Sequence, residues 1–212
     1  MSHIFDWLLS QYDGTSTYLI VLETIAVIFG FLSVWYSKQD NILVFPTGII
    51  STAIFVYILY LFGLLGDMLI NAYYFSMSIY GWYLWTRKVD DSHFIPIKRI
   101  NAKEKKQSVF LFIGAIVFVG LVYTYFEKWN DWTAYVDTFT TALFFIGMWL
   151  MAKKKLENWI YWIIADIISI PLYFYKGLGI TAIQYILFTI LAIYGYIAWK
   201  KELNKPKESL LE

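Results

Sequence analysis

One apolar stretch near the C-terminal end of the chain carries aromatic and polar side chains that could bind a ring-containing ligand. At 100° per residue, six of them fall within a helical arc of about 100°: Asn158, Trp159, Trp162, Asp166, Ser169 and Tyr173. Indole faces attract flat and cationic rings, and a carboxylate can balance a positive charge. Polar groups in hydrocarbon are costly and usually functional. We therefore expect a site for a small polar solute that contains a ring. Solutes with a cationic ring are among the candidates. A structural hydrogen bond is the alternative role for Asp166.

Other apolar stretches offer similar groups on one face. They are Asp67, Asn71, Tyr74, Ser78, Trp82 and Trp85 in the third, Asp137, Thr141, Phe144 and Met148 in the fifth, and Gln184 and Phe188 in the seventh. Asn71 could instead bond only a neighbouring helix. The expected substrate-binding residues are Trp159, Trp162, Asp166, Asn158, Asn71, Tyr74, Ser78, Trp149, Trp35, Tyr173 and Gln184.

Several tryptophans and acids lie near the ends of apolar stretches. Trp35 and Trp149 are expected either in the wall of the cavity or in the aromatic belt at the membrane interface. The belt is the expected place of three others, namely Trp85, Trp132 and Trp199. Two acids are expected as helix-start caps, namely Asp67 and Asp137.

The composition indicates an integral membrane protein. Of 212 residues, 59% are hydrophobic and 16% charged, whereas a soluble domain carries about 25% charged residues. Seven apolar stretches are long enough to span a bilayer: Tyr18–Tyr36, Ile42–Phe62, Asp67–Trp85, Ser108–Phe126, Thr133–Met151, Glu157–Tyr175 and Ile180–Trp199. The remaining loops leave no room for a soluble domain. Pro46 and Pro171 lie inside stretches, where we expect them to kink the helices.

The residue inventory excludes several classes of function. The chain has no Cys, and its two His, His3 and His93, lie in polar surroundings, so neither a metal site nor His or Cys catalysis is expected. The net charge of +1 gives no reason to expect nucleic-acid binding. No phosphate-binding loop of the G-x4-GK-[ST] type occurs. We expect neither an enzyme nor an ATP-driven pump, and no cofactor.

The positive charges predict the orientation in the membrane. Fifteen of the 17 Lys and Arg residues fall on one side of the seven stretches, and only Lys128 and Lys176 fall on the other. Because cytoplasmic loops carry the positive excess, we expect the N-terminus outside and the C-terminus in the cytoplasm, in a multi-pass protein of the cell (inner) membrane.

An internal repeat is visible in the chain. The segment IYGWYLW at 79–85 recurs as IYGYIAW at 193–199, a shift of 114 residues, and the same shift superposes Trp35 on Trp149. Asn41 and Asn158 depart from this register by three residues, for which an insertion within the lysine run before Asn158 is the expected reason. An odd linker helix between triple-helix halves gives both halves one orientation, a parallel repeat found in transporters.

These observations predict an all-α membrane protein with seven transmembrane helices in a 3+1+3 parallel-repeat arrangement. The expected segments are an N-terminal interfacial segment (1–17), a first triple-helix repeat (18–85), a basic cytoplasmic loop (86–107), a linker helix (108–126), a second repeat (133–199) and a cytoplasmic tail (200–212).

The segments IYGWYLW, KKKLENWIYWIIADI, PLYFYKGLGITA and LAIYGYIAW resemble the nicotinamide riboside transporter family PnuC over the chain from Glu23 to Trp199. The resemblance implies a fold related to SWEET sugar transporters. It also implies import of nicotinamide riboside, an NAD precursor, without ATP hydrolysis, with trapping by phosphorylation in the cytosol. Because the chain has a parallel repeat and no nucleotide-binding loop, we expect facilitated diffusion by rocking of the two halves, with Pro46 and Pro171 as candidate hinges. The family's Trp-x2-Trp-x3-Asn pattern maps onto Trp159, Trp162 and Asp166, with Asp where many members have Asn. The third-span amide, often Gln in the family, maps onto Asn71.

Two alternatives stay open at this stage. A related transporter for another vitamin such as thiamine fits the same residues, since thiamine also carries a positive ring. A seven-span receptor is the other, although the seventh stretch has no internal Lys for a retinal Schiff base. The expected partners are a small-molecule substrate and the lipid bilayer, with association into a homo-oligomer left open.

Overall fold

The computed structural model describes residues 16–62, 65–87, 95–129, 131–176 and 179–205. Within these residues the chain forms seven helices: α1 (Thr17–Lys38), α2 (Val44–Leu61), α3 (Leu65–Thr86), α4 (Ala102–Tyr125), α5 (Thr133–Ala152), α6 (Asn158–Tyr175) and α7 (Gly179–Leu203). Each predicted apolar stretch corresponds to one helix, so the seven-helix prediction is confirmed. Nearly all of the predicted interfacial segment 1–17 and most of the predicted tail lie outside the described residues.

The seven helices differ in how apolar they are. Among the described residues, α1, α2, α4, α5 and the Ala182–Leu203 part of α7 are long and apolar enough to cross a membrane. The two helices that fall short are α3 and α6. Their polar faces turn toward the other helices, while apolar side chains such as Ile79 and Ile167 are exposed on the outside.

The repeat is present in the structure with an unbroken shift of 114 residues. Helices α2 and α6 begin at Val44 and Asn158, α3 and α7 begin at Leu65 and Gly179, and α1 and α5 end at Lys38 and Ala152. The expected insertion before Asn158 is therefore wrong. Asn41 accepts a hydrogen bond from the Leu43 backbone N–H (2.9 Å) in the turn before α2, whereas Asn158 is the first residue of α6. The two asparagines share a residue type but not a structural position.

The two halves pack internally in the same way. In the first half the Phe45 ring lies against Gly81, and in the second half the Trp159 ring lies against Gly195, at positions shifted by 114. A Cβ added at either glycine would stand 2.2 Å or 2.6 Å from the ring, closer than side chains can approach. Each half therefore needs a glycine where its second and third helices cross.

Contacts between the halves are reciprocal. Phe31 of α1 packs on Phe188 of α7 at 4.8 Å between ring centroids, and the shifted pair, Phe145 of α5 and Tyr74 of α3, packs at 5.8 Å. Contacts that exchange in this way indicate a two-fold relation between the two units. The halves thus meet through α1 against α7 and α3 against α5.

The linker helix α4 is attached to the second half. It packs mainly on α5, and its first turn is closed by a capping box between Asn101 and Glu104. Glu104 also forms an ion pair of 2.9 Å with Lys155, in the turn between α5 and α6. Lys98 accepts a backbone hydrogen bond from Leu156 at 2.9 Å, so the segment before α4 is bound to the same turn.

The two prolines have different effects. Pro46 is the third residue of α2, where a backbone N–H has no intrahelical partner to lose, so the predicted kink at Pro46 is wrong. Pro171 lies inside α6 and removes one hydrogen bond from its last turns.

Candidate functional site

A cavity of about 230 Å³ lies between the two halves. Its walls come from α1, α2, α3, α5, α6 and α7, and none of its lining residues belongs to α4. The two-fold relation between the halves explains the position of the cavity, since three helices of each half face the same space.

The α6 wall carries three of the expected residues on one face. Trp159, Trp162 and Asp166 all line the cavity, and Trp159 and Asp166 are each 1% exposed. The indole N–H of both tryptophans and Oδ2 of Asp166 have no hydrogen-bond partner in the protein. Buried polar atoms are nearly always paired, so two donors and one acceptor on one wall are suited to a polar ligand.

A glycine on α5 sets the position of Trp162. A Cβ at Gly147 would stand 2.2 Å from Cδ1 and Nε1 of the Trp162 ring. The ring of Phe144, one turn earlier on α5, meets Trp162 nearly edge-on at 6.4 Å. Trp162 is therefore held between the backbone of α5 and the cavity.

The walls from α3 and α7 contain the expected amides and hydroxyls. Asn71, Tyr74, Ser78 and Gln184 line the cavity. The Asn71 side-chain N–H donates to the Asp67 carbonyl at 3.0 Å, and the Ser78 hydroxyl donates to the Tyr74 carbonyl at 2.9 Å. These bonds within α3 fix both side chains.

Four expected residues are not in the lining. Trp35 is 44% exposed and lies under the Lys38 ammonium at 3.7 Å, and Trp149 contacts Lys153 in the same way at 4.2 Å. Asn158 is buried and donates to the Lys155 carbonyl at 2.6 Å. Tyr173 lies behind a lining residue, with its ring stacked on Tyr185 at 5.1 Å. The other seven expected residues share the cavity.

The wall from α1 and α2 was missed by the sequence reasoning. It contains small residues, namely Gly30, Ser33, Ser37, Gly48, Ser51 and Thr52. The hydroxyls of Ser33, Ser51 and Thr52 donate to backbone carbonyls, for example Ser33 to Val44 at 2.7 Å and Ser51 to Ala26 at 2.8 Å. The Ser37 hydroxyl donates to Sδ of Met151 at 3.2 Å. The internal repeat could have identified this wall, because Gly48 and Thr52 are the positions equivalent to Trp162 and Asp166 at a shift of 114 residues.

Two tryptophans expected in the membrane belt are buried instead. Trp85 is 4% and Trp199 1% exposed, and they lie 6.1 Å apart. Each indole N–H donates to a carbonyl of the other half, Trp85 to Ala152 at 3.1 Å and Trp199 to Ser37 at 2.9 Å. The belt assignment is wrong for both, whereas Trp132 is 52% exposed.

The charged residues at the two ends of the cavity form pairs. In the turn after α1, Asp40 forms an ion pair of 2.8 Å with Lys154; burial raises the pKa of the Asp40 carboxyl, and Lys154 counteracts the shift. Toward the other end, Asp137 accepts from the Tyr123 hydroxyl at 2.8 Å and lies 3.5 Å from Lys176. Asp137 is the fifth residue of α5, so its assignment as a helix cap is wrong.

The lining is mostly apolar and contains seven aromatic residues and one acid. Asp166 is its only Asp or Glu, and it contains no Lys, Arg or His. Within the described residues, no group of three His, Cys, Asp or Glu side chains could hold a metal ion. The arrangement suits binding of a ring-containing, positively charged or neutral solute.

Comparison with known proteins identifies the family. A family model described as nicotinamide mononucleotide transporter matches residues 20–201. The nicotinamide riboside transporter PnuC of Escherichia coli K12 is 24% identical over 210 residues, covering 88% of this chain and 87% of its own. That of Neisseria mucosa is 25% identical over 195 residues, covering 85% and 72%.

A more distant relative and one solved structure agree with this assignment. The riboflavin/roseoflavin transporter RibM of Streptomyces davaonensis is 23% identical over 141 residues, covering 65% of each chain. The crystal structure of the vitamin B3 transporter PnuC matches with a TM-score of 0.64 and 21% identity, over 86% of this chain and 81% of that one. This match shows that the fold is shared, as the 3+1+3 prediction requires. The family and these relatives are transporters rather than enzymes, and the protein is a multi-pass membrane protein of the nicotinamide mononucleotide transporter family, to which PnuC belongs.

Proposed function

We propose that the protein imports nicotinamide riboside across the cell (inner) membrane. The observation that carries the proposal is the α6 wall, where two indole rings and an unpaired carboxylate face one cavity. Nicotinamide riboside has a positively charged pyridinium ring, an amide and ribose hydroxyls. A Trp face and a carboxylate both attract the ring, and Asn71 and Gln184 can pair with the amide or the sugar.

The charge of the cavity favours the riboside over the mononucleotide. A phosphate group would enter a space without a Lys, Arg or His in its lining and with a carboxylate on one wall. Burying an unpaired anion costs several kcal/mol or more. The riboside carries a hydroxyl in place of this phosphate, and the serine oxygens of the α1 and α2 wall can accept hydrogen bonds from the hydroxyls of the ribose.

Transport proceeds by facilitated diffusion, with the two halves rocking around the cavity. The sequence has no nucleotide-binding loop, and the contacts that must slide are α1 against α7 and α3 against α5. Helix α4 moves with the second half, because Glu104 and Lys98 bind it to the turn before α6. Pro171 is the remaining hinge candidate. Phosphorylation in the cytosol traps the imported riboside.

The orientation follows the positive charges. The end of the bundle where α1 and α5 end is cytoplasmic, since the lysines at 153–155 and the basic segment before α4 lie there. The N-terminus is then outside and the C-terminus inside. Assembly into a homo-oligomer stays a prediction.

Thiamine is the second candidate substrate, because its ring is also cationic and Asp166 is unpaired. Calorimetric titration of the purified protein with nicotinamide riboside, its mononucleotide, thiamine and riboflavin separates the candidates. We expect the riboside to bind more tightly than its mononucleotide and the neutral riboflavin. Tighter binding of thiamine would change the assigned vitamin, and tighter binding of the mononucleotide would contradict the charge argument. Uptake of the labelled ligand into liposomes then tests transport itself.

A further inference from the structure

The side of α4 that points away from the bundle carries two lysines at the start of an apolar ridge. At 100° per residue, six exposed residues fall within one arc of about 100° and form what we call the α4 ridge: Lys103, Lys106, Phe110, Gly114, Val117 and Leu121. The residues of α4 that are buried, such as Ala115 and Val119, lie on the opposite side of the helix. Because α4 packs mainly on α5, the described part of the chain leaves the ridge uncovered.

Gly114 leaves a notch in the middle of the α4 ridge. A Cβ at Gly114 would meet nothing within 4 Å, so no contact within the described residues requires a glycine here. Glycine destabilises a helix interior relative to alanine, and the ridge residues one turn away on either side, Phe110 and Val117, are large. The notch is therefore open to a group from outside the chain.

The apolar part of the ridge has the length of one membrane leaflet. Eleven residues separate Phe110 from Leu121, which is about 16 Å of helix, and half of the hydrocarbon thickness of a bilayer is about 15 Å. The Lys106 ammonium lies over the Phe110 ring at 5.8 Å, so its charge stands where the apolar part of the ridge begins. An acyl chain can follow the ridge through the notch while its headgroup stays beside the lysines.

The lysines of the ridge have no acid as a partner. Within the described residues neither Lys103 nor Lys106 forms an ion pair, and Glu104 between them in sequence is paired with Lys155. Burial lowers the pKa of the neighbouring Lys153 ammonium; Glu104 opposes this shift, and the charges of Lys155 and Lys103 add to it. This end of α4 thus has an excess of positive charge that an anion can balance.

We propose that an anionic phospholipid binds to the α4 ridge, with its phosphate beside Lys103 and Lys106 and one acyl chain in the notch at Gly114. Basic residues next to a membrane helix attract anionic lipids, and the lysines favour these over zwitterionic lipids. In the orientation proposed above, the lipid belongs to the cytoplasmic leaflet. A second copy of the chain could also fill a notch at a glycine, but packing α4 against α4 would bring the lysines of both copies together without a countercharge.

Native mass spectrometry tests the proposal by counting the lipids that stay on the protein. The purified protein is equilibrated in detergent with phosphatidylglycerol and phosphatidylcholine of the same acyl chains, so that only the headgroups differ. We expect one phosphatidylglycerol per chain, bound on the order of tenfold more tightly than phosphatidylcholine. Equal affinity for the two lipids overturns the proposal.

Three variants locate the lipid. Lys103→Gln combined with Lys106→Gln should abolish the preference for phosphatidylglycerol. The matched control, Lys105→Gln combined with Lys201→Gln, removes the same charge from exposed positions outside the ridge and should keep the preference. Gly114→Leu fills the notch and should lower the occupancy by both lipids. A preference that survives the first variant, or an occupancy that Gly114→Leu leaves unchanged, overturns the proposal.

The same spectra show whether a second copy occupies the ridge instead. A dimer or larger assembly that Gly114→Leu separates into single chains, without loss of a lipid, would assign the ridge to self-association and overturn lipid binding. Thermal unfolding followed by circular dichroism checks that each variant is folded, as the open space around the Gly114 Cβ leads us to expect. These measurements contain no vitamin, so their result does not depend on which substrate the cavity binds.

Discussion

Asp40 and Lys154 occupy equivalent positions in the two halves and form an ion pair of 2.8 Å with each other. Both adopt left-handed backbone conformations, with φ of 54° and 51°, in turns that join equivalent helices. A residue that pairs with its own repeat partner lies close to the two-fold axis. The same holds for Ser37 and Met151, in contact at 3.2 Å, and for Trp85 and Trp199. One end of the cavity is thus closed by contacts on the axis.

The Asp40–Lys154 pair should contribute measurably to this closed end. The Lys154 and Asp40 side chains are 9% and 33% exposed, so solvent screens the pair only in part. In a cycle of Asp40→Asn, Lys154→Gln and the double variant, we expect a coupling energy of about 1 kcal/mol in thermal stability. The exposed Lys205–Glu202 pair (51% and 46%) is the control, with a coupling close to zero. Equal coupling in the two pairs would contradict the prediction.

Gly147 should be required for the position of Trp162. In Gly147→Ala the new Cβ would stand 2.2 Å from the indole ring, so the ring must move within the cavity wall. We expect riboside affinity to fall on the order of tenfold, about 1.4 kcal/mol. Gly114→Ala on α4 is the matched control, since nothing lies within 4 Å of its Cβ; its affinity should not change. The prediction fails if the two variants bind equally well.

The helices and the repeat could be predicted from the sequence, because apolar stretches of membrane length and a constant shift are local properties of the chain. The register between Asn41 and Asn158 was misjudged because residue identity was matched instead of position. Within the second half, the polar face of α6 identified Trp159, Trp162 and Asp166 correctly as neighbours.

The rest depended on tertiary packing. The α1 and α2 wall contributes space, and small residues such as Gly30 and Gly48 carry no chemical pattern that points to a cavity. The sequence shows that Trp85 and Trp199 lie near the ends of their helices, but it does not show in which direction their side chains point. Both turn inward because the opposite half offers a backbone carbonyl to each indole N–H.

Trp162 should provide a large part of the attraction for the ring. Loss of one cation–π contact in a desolvated site costs about 1–2 kcal/mol, so Trp162→Ala should lose on the order of tenfold in riboside affinity. Trp162→Phe should lose less, because a ring face remains. Trp132→Ala, outside the lining and 52% exposed, should bind normally. Calorimetry on the three variants checks the order, and equal affinities of the Ala and Phe variants would argue against stacking.

The orientation can be tested with single cysteines, since the chain has none. Glu127 and Lys201 are both exposed and lie at opposite ends of the bundle. An impermeant maleimide added to intact cells should label Glu127→Cys, and should label Lys201→Cys only after the membrane is opened. The reverse pattern would place the N-terminus inside and contradict the charge asymmetry.

The two-fold relation predicts that the carboxylate can be moved to the opposite wall. Asp166→Asn should weaken binding of the cationic riboside about tenfold or more, and should affect the neutral reduced-ring form much less.

Thr52 is the repeat equivalent of Asp166 and lines the same cavity from α2. Adding Thr52→Asp to Asp166→Asn returns an acid to the space between the halves, so affinity for the cation should recover in part. Calorimetry with both ligands on the two variants measures the recovery. Thr52→Asn in the same background is the matched control, because it has the same size without the charge. Recovery with Asn as well as Asp, or equal losses for both ligands in Asp166→Asn, would mean that Asp166 acts through shape and hydrogen bonding rather than through its charge.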